Sequence, residues 1–292
     1  MKKTALLFLL VSAFTFAQKS VLAQKVDSII KDKKATVGVS VLGFENAFKY
    51  NKNAETKLPM LSVFKFHIAA TVLDLVDKGK LSLDHKILIK KSDLLENTWS
   101  PIREKYPDGN VELSLSEIIN YTVAWSDNNG CDILLRLIGG TQVVQKFMDS
   151  KGVKDFQIKH NEEQMHKGAK YLYENYTTTN SLSQLYKSFY DGKILSEKST
   201  KFLYDIMLNT STGGNKLKEQ LPKQSIAHKT GSSGKDGDLT IAENDSGIVT
   251  LPNGKHYAIV VFISNSTETD EVNCKMISNI SKAVWDHLIS KI

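Results

Sequence analysis

The chain is poor in several residue types, and each shortage excludes something. Two cysteines in 292 residues are too few for a disulfide-stapled miniprotein. Five prolines and 17 glycines exclude collagen-like and low-complexity chains. Arginine is scarce: Arg103 and Arg136 are the only two among 38 basic residues. Nucleic-acid readers lean on bidentate arginine, and the lysines here are scattered among acids. The net charge of +6 therefore reads as a basic surface with no nucleic-acid partner. Past the N-terminal segment there is no second long apolar run, so no membrane partner is expected of the mature protein. What is plentiful is globular in proportion, with 41% hydrophobic and 24% charged residues. That excludes disorder, and the length suits one large domain or two lobes.

The N-terminus reads as a secretory signal. Lys2 and Lys3 precede an uncharged stretch, Thr4 to Ala17, too short to span a bilayer. Ala17, with Thr15 two positions before it, fits a cleavage site; Ala23, with Val21 before it, fits a second. Cleavage after Ala17 leaves a mature charge of +4, and after Ala23 of +3. An exported protein meets an oxidising compartment. Cys131 and Cys274 could pair there, but both lie in helical runs, and two separately buried thiols are the favoured reading.

Strand-like patterns bracket a helical middle. Ala35–Phe44 alternates, with Ala47–Tyr50 as its hairpin partner. Apolar residues then recur at helical spacing over Ser62–Lys78, Glu117–Thr122, Asp132–Leu137, Gln142–Met148, Ser181–Tyr190 and Glu197–Met207. Gly139, Gly140, Gly152 and Gly192 read as helix stops. Strands return at Ser225–Lys229, Gly247–Leu251 and Tyr257–Ser264, and a helix over Thr269–Ile289 closes the chain. The expected fold is α+β: an antiparallel sheet built from both chain ends and flanked by terminal helices, with an inserted all-helical lobe. In numbers, residues 24–60 and 212–292 form the α/β lobe and residues 61–211 the helical lobe, after a signal over residues 1–17. A cleft between lobes is a usual ligand site.

Three short motifs carry chemistry. Ser62-Val63-Phe64-Lys65 puts a hydroxyl and an amine on one face of a helix start. There the lysine can take the serine's proton and make it a nucleophile. Ser-x-x-Lys also occurs at Ser28 and Ser232, so alone it is an ordinary helix start. Ser126-Asp127-Asn128 occurs once, and by itself suits an N-cap equally well. Lys229-Thr230-Gly231 ends a short strand; a lysine and a hydroxyl can hold a carboxylate there, and the glycine lets a ligand approach. Seven histidines include no His-x-His or His-Glu-x-x-His, so no metal is expected, and no phosphate loop is present.

Order and spacing change the weight of these motifs. They run Ser-x-x-Lys, Ser-Asp-Asn, Lys-Thr-Gly, with 64 residues from Ser62 to Ser126 and 103 from Ser126 to Lys229. The trio resembles the signature of class A serine β-lactamases and penicillin-binding proteins. Glu162-Glu163-Gln164-Met165-His166 stands where class A enzymes carry their deacylating glutamate. Trp99-Ser100-Pro101, Asn129-Gly130-Cys131-Asp132 and that Glu-x-x-Met-His loop resemble the PER/VEB-like extended-spectrum branch.

The resemblance implies a β-lactamase/transpeptidase-like fold and hydrolysis of penicillins and cephalosporins, oxyimino cephalosporins included, conferring resistance. It implies Ser62 as nucleophile, Lys65 and Glu162 as bases, with Glu163 a rival, and Ser126 as proton relay. Trp99, Asn128, His166, Lys216, Lys229, Thr230, Gly231 and Ser232 would contact substrate. It implies no cofactor, a small-molecule β-lactam as partner, a monomer, and a periplasmic or secreted location.

Three departures stand out. Most relatives pin the catalytic loop with an Arg–Asp pair; here His160 falls on the Arg position, and Asn175-Tyr176-Thr177 lies where the Asp is expected. Asp132 replaces an asparagine that holds the same loop, and falls near Glu162, where like charges should raise one pKa. With no arginine after Arg136, Lys216 is the candidate for the cation beside the Lys-Thr-Gly strand. Three other readings stay open: a DD-peptidase or a β-lactam sensor, either acylated without turnover, and a general secreted serine hydrolase.

Overall fold

The computed structural model describes residues 20–292. The signal expected over residues 1–17 lies outside the described residues. The alternative cleavage point, Ala23, falls inside the first helix, Val21–Ile30, whose Leu22 and Val26 are buried.

The main sheet is antiparallel, in the order Lys49–Lys52, Thr36–Gly43, His256–Ser266, Leu239–Thr250, Ile226–Ser232, with the short strand Lys235–Asp236 pairing beside Leu239–Thr250. Alternation along its strands divides the core. Tyr257, Ile259, Val261 and Ile263 join Leu22, Val26, Ile277 and Val284, which come from the first and last helices. Ala258, Val260 and Phe262 point the other way and join Phe66, Tyr186 and Phe189 of the helical middle. The sheet is thus covered on both faces, which is why its central strands are buried almost end to end. The α+β architecture expected from the sequence is the one observed.

The hairpin partner is Lys49–Lys52 rather than the expected Ala47–Tyr50, and two boundary differences bear on the site. Leu239–Thr250 begins eight residues before the expected Gly247. Its hidden half contains Glu243, Asn244, Asp245 and Ser246, all buried. Polar residues inside a sheet break the apolar pattern that a sequence reading follows. Ile226–Ser232 runs through the Lys-Thr-Gly motif instead of ending at Lys229. The glycines read as helix stops do adopt positive φ, Gly139 as the left-handed C-cap of helix Asn128–Ile138.

Helix Phe64–Asp77 runs through the middle of the helical region, buried from Phe64 to Asp74. Over that stretch it has no solvent face and is held by neighbours on every side, its polar side chains Lys65, His67, Thr71 and Asp74 buried with the apolar ones. It carries Lys65 on its first turn and so fixes one wall of the site.

Candidate active site

Ser62, expected to open the helix, lies instead in a single 3-10 turn, Leu61–Val63, and the α-helix begins two residues later at Phe64. Leu61 is held at φ 47°, a conformation that costs a non-glycine residue of order 1–3 kcal/mol. The surroundings enforce it. The Asn244 side chain donates to the carbonyls of Pro59 and Met60 at 2.8 and 3.2 Å. Met60 N–H donates to the Asn175 carbonyl at 2.9 Å. Gly231 presses on the same turn: a Cβ there would meet the Met60 carbonyl oxygen at 2.5 Å and Ser62 N at 3.1 Å. Only glycine lets the Lys-Thr-Gly strand approach Ser62 this closely.

Lys65 is fully buried and surrounded by oxygens. Its Nζ lies 2.9 Å from Ser62 Oγ, 2.8 Å from the Ser126 carbonyl and 3.5 Å from Ser126 Oγ. It also donates to Asn128 Oδ1, and Glu162 Oε1 stands 2.9 Å away. That last approach is off the hydrogen-bonding direction, since Glu162 Oε1 forms no hydrogen bond. Five oxygens compete for the three protons of one ammonium. A proton moving among them travels less than one side-chain length.

Ser126 is also held at positive φ, 58°. Its hydroxyl accepts from Lys229 Nζ at 2.9 Å, so it bridges two lysines. Lys229 donates as well to the Thr230 carbonyl at 2.9 Å. Burial, and then the charges of Lys65 and Lys216, push the Lys229 ammonium well below the ordinary lysine range.

Asp127 has the capping role that the motif allowed. It accepts from Gly130 N–H at 2.8 Å, Ile102 N–H at 2.6 Å and the Ser100 hydroxyl at 3.0 Å. Burial raises its pKa against these bonds. It ties helix Asn128–Ile138 to helix Pro101–Lys105 and thereby aims its neighbours Ser126 and Asn128. Asn128 Nδ2 donates to Thr98 Oγ1 at 2.7 Å, which leaves one amide proton for a ligand. Trp99 is 54% exposed at the rim, with its indole N–H on the Trp125 carbonyl at 2.9 Å.

Glu162 opens a short helix, Glu162–Met165, capped by Asn161. Asp132 holds that helix: it accepts from Glu162 N–H at 2.8 Å, Glu163 N–H at 3.0 Å and Asn161 Nδ2 at 3.1 Å. The two carboxyl groups are neighbours, as expected. Burial first, and then the Glu162 charge, push Asp132 up to about 6. The loop neck is pinned without an Arg–Asp pair. Asn175 Oδ1 accepts from Lys159 and His160 N–H at 2.8 and 3.0 Å, and its Nδ2 donates to the His160 carbonyl at 2.7 Å. His160 Nε2 meets Glu174 at 2.5 Å. His166 Nδ1 lies 2.8 Å from the Glu162 carbonyl; a carbonyl only accepts, so that nitrogen carries the proton.

A cleft of about 290 Å³ is lined by Ser62, Asn128, Glu162, His166 and Ser232, five residues singled out from the sequence. Lys65, Lys229 and Thr230 lie buried behind its wall. Thr230 shares a hydroxyl bond of 2.7 Å with Thr212. Lys216 is paired with Glu243 and does not line the cleft. Thr98, Thr212, Glu243 and Asn244 were not anticipated; the buried polar run from Glu243 to Ser246 is the one sequence signal that could have pointed to two of them. Cys131 and Cys274 are free and buried. Among the described residues no group of three or more His, Cys, Asp or Glu is placed to hold a metal.

A serine against a buried lysine, with a second serine bridging to another lysine, defines a serine hydrolase that uses lysine where others use histidine. Comparisons with known proteins narrow the class. The model of the β-lactamase enzyme family matches residues 21–288. The chain is 46% identical over 99% of both chains to β-lactamase VEB-1 of Pseudomonas aeruginosa. It is 36% identical to extended-spectrum β-lactamase PER-1 of the same organism, over 99% of this chain and 95% of that one. The solved structure of TLA-3 extended-spectrum β-lactamase superposes with a TM-score of 0.90 at 52% identity, over 92% of this chain and 98% of that one. The chain belongs to the β-lactamase enzyme family; it is a class A β-lactamase, a hydrolase of the kind that confers β-lactam resistance.

Proposed function

We propose that the enzyme hydrolyses penicillins and cephalosporins, oxyimino cephalosporins included, through an acyl-enzyme on Ser62 that a Glu162-activated water breaks. The observation that carries this reading is the placing of Glu162 on the cleft wall, 2.9 Å from the Lys65 ammonium that touches Ser62.

In acylation Lys65, with its proton passed to Glu162 directly or through water, takes the Ser62 proton as Oγ attacks the lactam carbonyl. The backbone N–H groups of Ser62 and Ser232 stabilise the oxyanion. The ring C–N bond breaks, and Ser126 delivers a proton to the leaving nitrogen, drawing on the lysines on either side of it. Glu162 then returns its proton to Lys65 and is a carboxylate again; in deacylation it takes a proton from water, which attacks the ester, and that proton passes to Ser62 Oγ as the ester C–O bond breaks. Glu163 is the rival base, but it is exposed and does not line the cleft. His166 Nε2, left as an acceptor in the neutral ring, is a second ligand for that water. Lys229, Thr230 and Gly231 form the carboxylate subsite, with Ser232 at its edge and Lys216 behind it. Asn128 bonds the side-chain amide, and Trp99 stands at the entrance.

Met165, Ala169 and Leu172 form an apolar wall beside Glu162, suited to a bulky acyl side chain. PER-1 and TLA-3 are named as extended-spectrum enzymes. The test is the ratio of kcat/KM for an oxyimino cephalosporin to that for benzylpenicillin. A ratio near one supports the branch, and a strict penicillinase profile refutes it.

The lobes are residues 24–60 with 212–292, and 61–211. Export to the periplasm follows cleavage after Ala17, because cleavage after Ala23 would discard Leu22, which is buried in the core. No helix of the described residues is long and apolar enough to cross a membrane. The working unit is a monomer.

A further inference from the structure

One buried ion pair adjoins the cleft wall without a chemical step of its own in the proposed mechanism. Lys216 and Glu243 are 6% and 4% exposed and form an ion pair. Lys216 also donates to the Asn244 carbonyl at 3.3 Å. The other Glu243 oxygen accepts the Ser232 hydroxyl at 2.8 Å. The sheet fixes this contact, since Glu243 stands directly across from Ser232 in the strand register.

A serine hydroxyl has one proton to give. While Ser232 gives it to Glu243, Ser232 cannot give it to a ligand in the cleft it lines. The same carboxylate neutralises Lys216, a buried cation that does not line the cleft. Charge balance gives Glu243 its place: Lys65, Lys216 and Lys229 crowd one side of the site, and both of the others weigh on Lys229. We infer that Glu243 is a positioning residue that withholds the Ser232 proton and the Lys216 charge from the substrate carboxylate, leaving its recognition to Lys229 and Thr230. This rests on the reading of the cleft as the β-lactam site.

The experiment is steady-state kinetics of Glu243→Gln, Lys216→Gln and the double variant, with a chromogenic cephalosporin and with its C4 methyl ester. For the free acid, Glu243→Gln should lower KM about fivefold, the most an exposed charge pair is usually worth. Lys216→Gln, which leaves a bare carboxylate behind Ser232, should raise KM, and the double variant should return it toward the wild-type value. The ester should show none of these changes. A folded Glu243→Gln with unchanged KM, or an equal shift for the ester, overturns the inference. So does a double variant that behaves like Lys216→Gln, because Lys216 would then touch substrate itself. If Glu243→Gln alone fails to fold, the comparison of Lys216→Gln with the double variant decides. A wild-type enzyme that does not turn over the cephalosporin removes the reading of the cleft as well, and so is told apart from failure of the inference alone.

Discussion

Lys65 Nζ and Glu162 Oε1 lie 2.9 Å apart, with side chains 0% and 8% exposed. A pair buried this deeply gives little net stability, yet breaking it strands a charge. Its value is chemical. The carboxylate can lift a proton from the ammonium and leave a free amine 2.9 Å from Ser62 Oγ. In the proposed mechanism the same carboxylate, which lines the cleft, then activates water, so that one short contact would link the two half-reactions.

Ser62→Ala should abolish both turnover and covalent labelling by penicillin, with no loss of fold. Intact mass after penicillin treatment checks this. A labelled variant would place the nucleophile elsewhere.

Lys229 gives a pH signature. Its folded pKa is depressed, by burial first, so the ammonium is present at low pH and is lost as pH rises, earlier than for an ordinary lysine. In the proposed carboxylate subsite that charge holds the substrate. The alkaline fall of kcat/KM should therefore begin well below the ordinary lysine range. Lys229→Arg, which cannot titrate there, should lower kcat/KM and remove that limb. A wild-type profile flat to the ordinary lysine pKa would contradict the assignment.

Asn175 should matter more than its neutrality suggests. It is fully buried and holds Lys159 and His160 by three bonds. Asn175→Ala leaves those backbone groups without partners, at a cost of about 2–4 kcal/mol. Deacylation should slow more than acylation, because the loop it pins carries Glu162. Urea unfolding and pre-steady-state kinetics measure the two effects. The His160–Glu174 pair is half solvated on the Glu174 side, and its loss should matter less.

Ser62, Lys65, Ser126 and the Lys-Thr-Gly strand, which the fold brings together, could be singled out in the sequence because each motif is short and local. The order of elements could be read because apolar period marks helices and most strands. Other features are invisible at that level. Glu243 meets Lys216 from 27 residues away in sequence, and Asn128 meets Thr98 across 30. The strand carrying Glu243 looks like a polar loop, since its burial is imposed by neighbours on both faces. Leu58–Pro59, Phe156–Gln157 and Tyr176–Thr177 form a small sheet of two-residue strands, below the length at which any period can be seen. Asp132 was legible as a neighbour of Glu162, but its three donors were not.

Asp132 makes a linkage prediction. Its pKa rises from 3.8 to about 6 on folding, so the folded state binds the proton more tightly. The sign follows: Asp132 weakens the fold as pH climbs from 3.8 through about 6. In Asp132→Asn that pH-dependent penalty is absent, while the hydrogen bonds lost are the same at every pH. The stability of the variant relative to wild type should improve by about 1–3 kcal/mol between pH 4 and pH 7. Denaturant titrations at the two pH values test this, and a constant difference would contradict it.

The most direct test of the account is intact mass and absorbance, read together, for wild type and Glu162→Gln mixed with a penicillin. The wild type should turn over quickly with little lasting adduct. Glu162→Gln should gain one penicillin mass on Ser62 and hold it, with turnover down by about 10²–10⁴. Fast turnover by Glu162→Gln would contradict the account and move the deacylating base to another residue.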